Sequence, residues 1–311
     1  MKVTVAIPCY KSSKTISIVV DQITSKFKEL NRYDYEIILI NDCSPDNTFE
    51  IIKELCQKDS HIMGIDLSRN WGQAAARMAC LKQIDSDCLI YMDDDGQHPI
   101  EYLPQLIQKI EEGYDLVSAD FSVKQTKKIN KLTSAISSKL FQITGKRPKG
   151  AVSSSYFAIN RMCIESLKKY LSPFPSIFGY LYQIAGKITS IKVKQNKRIV
   201  GKSGYNFSKR FKVWLNGMIN FSIFPLRLSS FLGVIFSITG FIFGIVLFIR
   251  KLLFPNILVG YTSLITIILF IGGLIMIMLG LIGEYIGRIY LTISNQPQFE
   301  IREIIKKEGE M

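Results

Sequence analysis

None of the six cysteines in this 311-residue chain belongs to a Cys-x-x-Cys pair. Cys9, Cys43, Cys56, Cys80, Cys88 and Cys163 therefore indicate neither a zinc site nor a disulfide framework, and reduced, mostly buried thiols are expected. Glycine-rich phosphate loops are missing too. Neither G-x-x-x-x-G-K-[ST] nor G-x-G-x-x-G occurs, so phosphate must be neutralised by other means. No apolar run of signal-peptide length opens the chain, and the amino-terminal part is expected to stay in the cytosol. Acid is scarce in one region: residues 121–228 hold 21 Lys/Arg against Glu165 alone, a balance of +20, whereas residues 1–120 hold 12 against 20, a balance of −8. One half suits a cation and the other anions. Nucleic acid and lipid phosphate both satisfy such a basic block, but it adjoins long apolar runs, which favours anionic headgroups or a lipid phosphate and no nucleic acid.

Those runs explain why the chain is 48% apolar with a mean hydropathy of +0.18. Leu228 to Ile249 is free of formal charge, and so is Leu252 to Gly283. At about 1.5 Å per residue the first spans roughly 33 Å, enough to cross a bilayer. Transmembrane helices are expected at 228–250 and, starting after Pro255-Asn256, at 260–283. Phe207, Phe211, Trp214, Leu215 and Met218, with Lys209, Arg210 and Lys212 beside them, predict an interfacial amphipathic helix over 206–227. Basic residues before Leu228 and in the tail 284–311 place both termini in the cytosol under the positive-inside rule, as a multi-pass protein of the inner (cytoplasmic) membrane; Arg250-Lys251 runs against that scheme. Gly240-x-x-x-Gly244 and Gly283-x-x-x-Gly287 permit close helix approach, within the hairpin or in a homo-oligomer.

The first 120 residues alternate. Strands are expected at Val3–Pro8, Tyr35–Ile40, Ile62–Leu67 and Cys88–Met92, with helices between them, so the class is α/β with a mostly parallel sheet. Further strands are read at Ser155–Ile159 and, as the last of the chain, Ile188–Lys194. Three strand ends are polar: Pro8-Cys9-Tyr10, Asn41-Asp42-Cys43-Ser44-Pro45-Asp46 and Asp93-Asp94-Asp95-Gly96-Gln97. Open α/β sheets bind ligands at that edge. An aromatic flanks a base, Asp42 accepts from a base or ribose, and Asp93 and Asp95 suit a hard cation across a diphosphate.

Ile7-Pro8-Cys9-Tyr10, Asn41 to Thr48, Ser68-Arg69-Asn70-Trp71-Gly72-Gln73 and Met92 to Pro99 together resemble glycosyltransferase family 2, of GT-A fold. More narrowly they are similar to its polyprenyl-phosphate group, which includes dolichyl-phosphate mannose synthases and bactoprenol glucosyltransferases. The resemblance implies a cytosolic GT-A catalytic domain over 1–205. It places Pro8, Tyr10, Asp42, Arg69 and Asp94 at the nucleotide, and Asp93, Asp95 and Gln97 at Mg²⁺ or Mn²⁺, with Asp93 and Asp95 counted as catalytic. Arg198, Ser203 and Tyr205 would meet the acceptor phosphate. The implied reaction is inverting transfer from a nucleotide-diphosphate sugar, a UDP-sugar being favoured, to undecaprenyl or another polyprenyl phosphate. Two positions depart from the family pattern. Ser12 stands where relatives often carry an acid, and Gly150 to Ser155 lacks the Asp that many carry there. A hydroxyl acceptor would need a base, whereas a phosphate monoester, with a second pKa of about 6, is already mostly dianionic. The Gln-x-x-Arg-Trp of processive synthases is absent, and intact Asp42, Asp93 and Asp95 argue against a non-enzymatic nucleotide-sugar binder.

Overall fold

A computed structural model describes residues 1–121, 148, 151–196, 224–253 and 260–307. The chain divides into two compact units, Met1–Gly217 with Asn295–Met311, and Met218–Ser294. Most of the interfacial helix expected over 206–227 lies outside the described residues.

The first unit is built on eight strands: β1 Lys2–Cys9, β2 Asp34–Asn41, β3 Ile62–Leu67, β4 Cys88–Tyr91, β5 Leu116–Asp120, β6 Phe157–Asn160, β7 Ile188–Lys192 and β8 Ile301–Lys306. They form one sheet in the order β7-β5-β6-β4-β1-β2-β3-β8. The pairs among β4, β1, β2 and β3 are parallel, as is β5 with β7, while β6 and β8 run antiparallel to their neighbours. The central strands β1 to β4 are apolar on both faces because both are covered. Helices α1 (Ile16–Leu30), α2 (Thr48–Lys58) and α4 (Leu103–Glu111) pack on Val3, Val5, Ile7, Ile37 and Leu39. Helices α3 (Gln73–Leu81), α5 (Arg161–Lys168) and α6 (Ile177–Ile184) cover Ala6, Ile38, Ile40, Leu89 and Tyr91. Each fully buried Ile or Leu contributes about 1.5–3 kcal/mol of apolar burial.

The order places β2 and β3 on one side of β1 and β4 on the other. The crevice between the β1 and β4 ends is therefore the switch point where such sheets receive ligands. Pro8 sits inside this central strand without costing a ladder bond. Met92 N–H donates to the Ala6 carbonyl (3.2 Å), and β4 has ended by the level of Pro8, whose missing donor faces the same way as Ala6.

The carboxyl-terminal region differs from the expected tail. Helix α8 (Tyr261–Ile293) continues past Gly283, and residues 301–306 become β8, added antiparallel to the β3 edge. The last strand is thus β8 rather than the one near Ile188. In the second unit, α7 (Phe224–Leu253) and α8 meet through an edge-on pair, Phe236 and Phe270 (5.9 Å), and Gly233 leaves room for the Met278 methyl. Both helices are long and apolar enough to cross a membrane, over Pro225–Val246 and Phe270–Ile293.

Candidate active site

Three loops follow β1, β2 and β4 at the same edge of the sheet. The first two are stitched together. Lys11, at φ 59°, donates its N–H to Ser44 Oγ (2.7 Å), Ser12 N–H donates to Thr48 Oγ1 (2.9 Å), and Ser44 N–H donates to Asn41 Oδ1 (3.2 Å). Asp46 gathers hydroxyl donors from Ser44 and Thr48, both 2.6 Å, and the Thr48 N–H at the start of α2. Burial raises the Asp46 pKa, but these donors outweigh it and hold the carboxyl well below the usual range.

Asp42 is buried, and its two oxygens accept the Trp71 (2.7 Å) and Gly72 (2.9 Å) N–H groups. Desolvation raises its pKa and those two donors only partly counter it. Asp42 therefore ties the β2 loop to the start of α3. Gly72 is suited to that start: its φ of 88° is left-handed and an added Cβ meets nothing within 4 Å. Arg69 stacks its guanidinium on Trp71 at 3.8 Å from the ring centre.

The third loop holds the carboxylates, and each turns to a different partner. Asp93 Oδ1 accepts from Gln73 Nε2 (2.7 Å) and Arg77 Nη2 (3.1 Å), one turn apart on α3. His98 Nε2 stands 3.6 Å from its other oxygen. Burial raises the Asp93 pKa, but His98 and Arg77 outweigh it and the net shift is downward. Asp94 turns to the β1 loop, accepting from Ser12 Oγ and, at 3.3 Å, from Tyr10 N–H. Desolvation pushes Asp94 up to about 6 despite these donors. Asp95 Oδ1 accepts from Gln97 N–H (3.0 Å) across Gly96, whose φ is 71°.

His98 supports the loop from below. Its Nδ1 accepts the Asp93 N–H (2.9 Å), which leaves the proton of the neutral ring on Nε2, 3.1 Å from Ser155 Oγ. The ring is buried and stacked on Tyr156 (5.0 Å), and desolvation lowers its pKa although Asp93 and Asp95 oppose that shift. It is a buried support of the loop.

A cavity of about 460 Å³ opens over this loop, lined by Gln73, Asp93 to Asp95, Gln97 and His98 together with Val152 to Ser155. The stretch Val152 to Ser155 is serine-rich and contributes no acid. Among the described residues no three Asp, Glu, His or Cys side chains converge as a ready cation cage. The oxygen donors of Asp93, Asp95 and Gln97 in this lining still match a hard divalent ion in kind.

The expected residues thus divide. Tyr10, Asp93, Asp94, Asp95 and Gln97 meet at the β1 and β4 ends, Asp42 and Gly72 form a second cluster, and Pro8 lies buried in β1. Arg69 is taken up by Trp71. Arg198, Ser203 and Tyr205 lie outside the described residues. Arg77 was missed by sequence reasoning, although its place four residues after Gln73 puts both on one helix face.

A mostly parallel α/β sheet with a carboxylate-lined cavity at its switch point is the architecture of a GT-A glycosyltransferase. The fold is shared with mannosyl-3-phosphoglycerate synthase from Rubrobacter xylanophilus, at a TM-score of 0.53 and 15% identity over 70% of this chain and 71% of that one. Residues 4–171 match the family "Glycosyl transferase family 2", and 224–289 match "GtrB C-terminal hairpin". The chain belongs to glycosyl transferase family 2 and is a glycosyltransferase. It is 32% identical to the prophage bactoprenol glucosyl transferase homolog of Escherichia coli K12, over 98% of this chain and all of that one. It is 31% identical to the undecaprenyl-phosphate 4-deoxy-4-formamido-L-arabinose transferase of Photorhabdus laumondii, over 98% and 94%.

Proposed function

We propose that this enzyme transfers a sugar, with inversion, from a nucleotide-diphosphate sugar to a polyprenyl phosphate, undecaprenyl phosphate being the favoured carrier, at the cytosolic face of the inner membrane. The observation that carries this reading is the cavity lining: carboxylates and Gln97 from the β4 loop, and from Val152 to Ser155 hydroxyls with no acid. A phosphate monoester oxygen is nucleophilic at neutral pH without a base, so a serine stretch without an acid suits it and would fail a sugar hydroxyl. The basic balance of residues 121–228 supplies positive charge for that acceptor, and two relatives are named for bactoprenol and undecaprenyl phosphate.

In the reaction the acceptor oxygen attacks the anomeric carbon. The bond from that carbon to the diphosphate breaks, its electron pair leaves with the diphosphate, and the centre inverts. Asp93, Asp95 and Gln97 would hold Mg²⁺ or Mn²⁺, which supplies charge neutralisation to the departing diphosphate. Gln73 and Arg77 orient Asp93 from α3, and His98 holds both the Asp93 amide and Ser155. Tyr10, half exposed beside the crevice, offers an aromatic face to the nucleoside, with a UDP-sugar the favoured donor.

The test incubates membranes containing the protein with labelled nucleotide sugars and undecaprenyl phosphate. Label is expected in an acid-labile, solvent-extractable lipid, with at least a hundredfold loss in Asp95→Ala, on the order seen when charge stabilisation is removed from an active site, and abolition by EDTA. Equal labelling by Asp95→Ala would sink the reading, and activity undiminished by EDTA would remove the metal from it.

A further inference from the structure

Strand β8 follows both apolar helices in the chain, yet it reaches the loops around the nucleotide crevice through a line of side chains. Arg302 Nη1 donates to Asp66 Oδ2 (3.1 Å) and its Nη2 to the Ser68 carbonyl (2.7 Å). Asp66 is 2% exposed, and its other oxygen accepts from Asn41 Nδ2 (2.7 Å). Asn41, also buried, accepts the Ser44 N–H on Oδ1, and Ser44 Oγ accepts the N–H of Lys11, next to Tyr10. Asn41 is also the residue before Asp42. Every link from Arg302 to the Tyr10 loop is thus a hydrogen bond between named groups, and two of the intermediate side chains are shielded from water.

We propose that Arg302 is a positioning residue for the donor site: by neutralising buried Asp66 it fixes the Asn41 amide, and through it the β2 and β1 loops that receive the nucleotide. This rests on the nucleotide-sugar reading above. Without Arg302, Asp66 keeps only a neutral amide against its charge, and the Asn41 side chain loses the anchored partner that sets its orientation. The same strand provides a comparison. Lys306 donates to buried Glu36 (2.9 Å), near the opposite end of β2 from Asn41, where Lys2 stands 3.9 Å from the same carboxylate. Lys306 anchors β8 without touching the line to the crevice.

The experiment uses the full chain in detergent, with UDP as the probe and amide hydrogen exchange on the ligand-free protein as a second readout. Arg302→Ala is expected to speed exchange across residues 41–48 and to weaken UDP binding about tenfold, within the usual range of coupling between linked sites. Lys306→Ala should stay within about twofold of wild type by the same scale, and Arg302→Lys should recover part of the loss. Indistinguishable behaviour of Arg302→Ala and Lys306→Ala in both readouts overturns the proposal, leaving β8 as an anchor only. A wild type that fails to bind UDP counts against the donor reading. Exchange then still decides the positioning role: faster exchange at 41–48 in Arg302→Ala alone upholds it, and equal exchange in the two variants overturns it.

Discussion

At the scale of single residues, three adjacent carboxylates are stabilised by divergence. Asp93 meets Gln73 and Arg77, Asp94 meets Ser12 and Tyr10, and Asp95 closes its own turn onto Gln97. Asp46 shows the same principle with a pH signature. Its pKa in the folded chain lies below the unfolded value of about 3.9, so its contribution is fully present above that value and is lost as pH falls through the folded pKa. Asp46→Asn is expected to lower stability by about 1 kcal/mol at neutral pH, the scale of a helix-capping side chain. Thermal midpoints should show that gap closing below about pH 4; a gap that persists unchanged in acid would mean the charge is not what stabilises. The residue types of this site were legible in sequence because strand ends concentrate polar groups. Their partners were not: Ser12 with Asp94 and Asp66 with Arg302 join positions far apart in the chain, and no local spacing encodes such pairs.

At the scale of elements, local periodicity located β1 to β4 and the helices between them, since apolar runs and amphipathic stripes are local signals. Strand β8 escaped because Ile301 to Lys306 is short and charged, and it becomes a strand only by completing the β3 edge. The start of α3 was legible as a motif, whereas its physical reason lies in Gly72, whose N–H must reach Asp42 from a left-handed φ. Gly72→Ala is expected to cost about 1–3 kcal/mol from backbone strain alone, as no neighbour obstructs a Cβ. Its melting transition should fall and its KM for donor rise. Gly240→Ala, inside α7 with equally open surroundings, should melt no lower than wild type. Equal losses in both variants would remove the special role of the Gly72 conformation.

At the scale of the whole molecule, the pairing of β8 with β3 constrains how the chain crosses a bilayer. Strand β3 precedes the two apolar helices and β8 follows them, yet they share one ladder, from Met63 opposite Lys306 to Leu67 opposite Ile301. A ladder cannot be split by a membrane, so if α7 and α8 both span, the chain must return to the side from which it left. Two crossings satisfy this and one does not. Under the positive-inside rule the basic excess ahead of Leu228 would put that side in the cytosol and the link between the helices outside. A membrane-impermeant maleimide is accordingly expected to label Gly260→Cys in intact cells, and to label Lys307→Cys only after permeabilisation. Protection of Gly260→Cys in intact cells, or labelling of Lys307→Cys there, would overturn this orientation of the hairpin. Labelling of both sites only after permeabilisation would mean that the hairpin lies on the inner surface without crossing, an arrangement the β3–β8 ladder also permits.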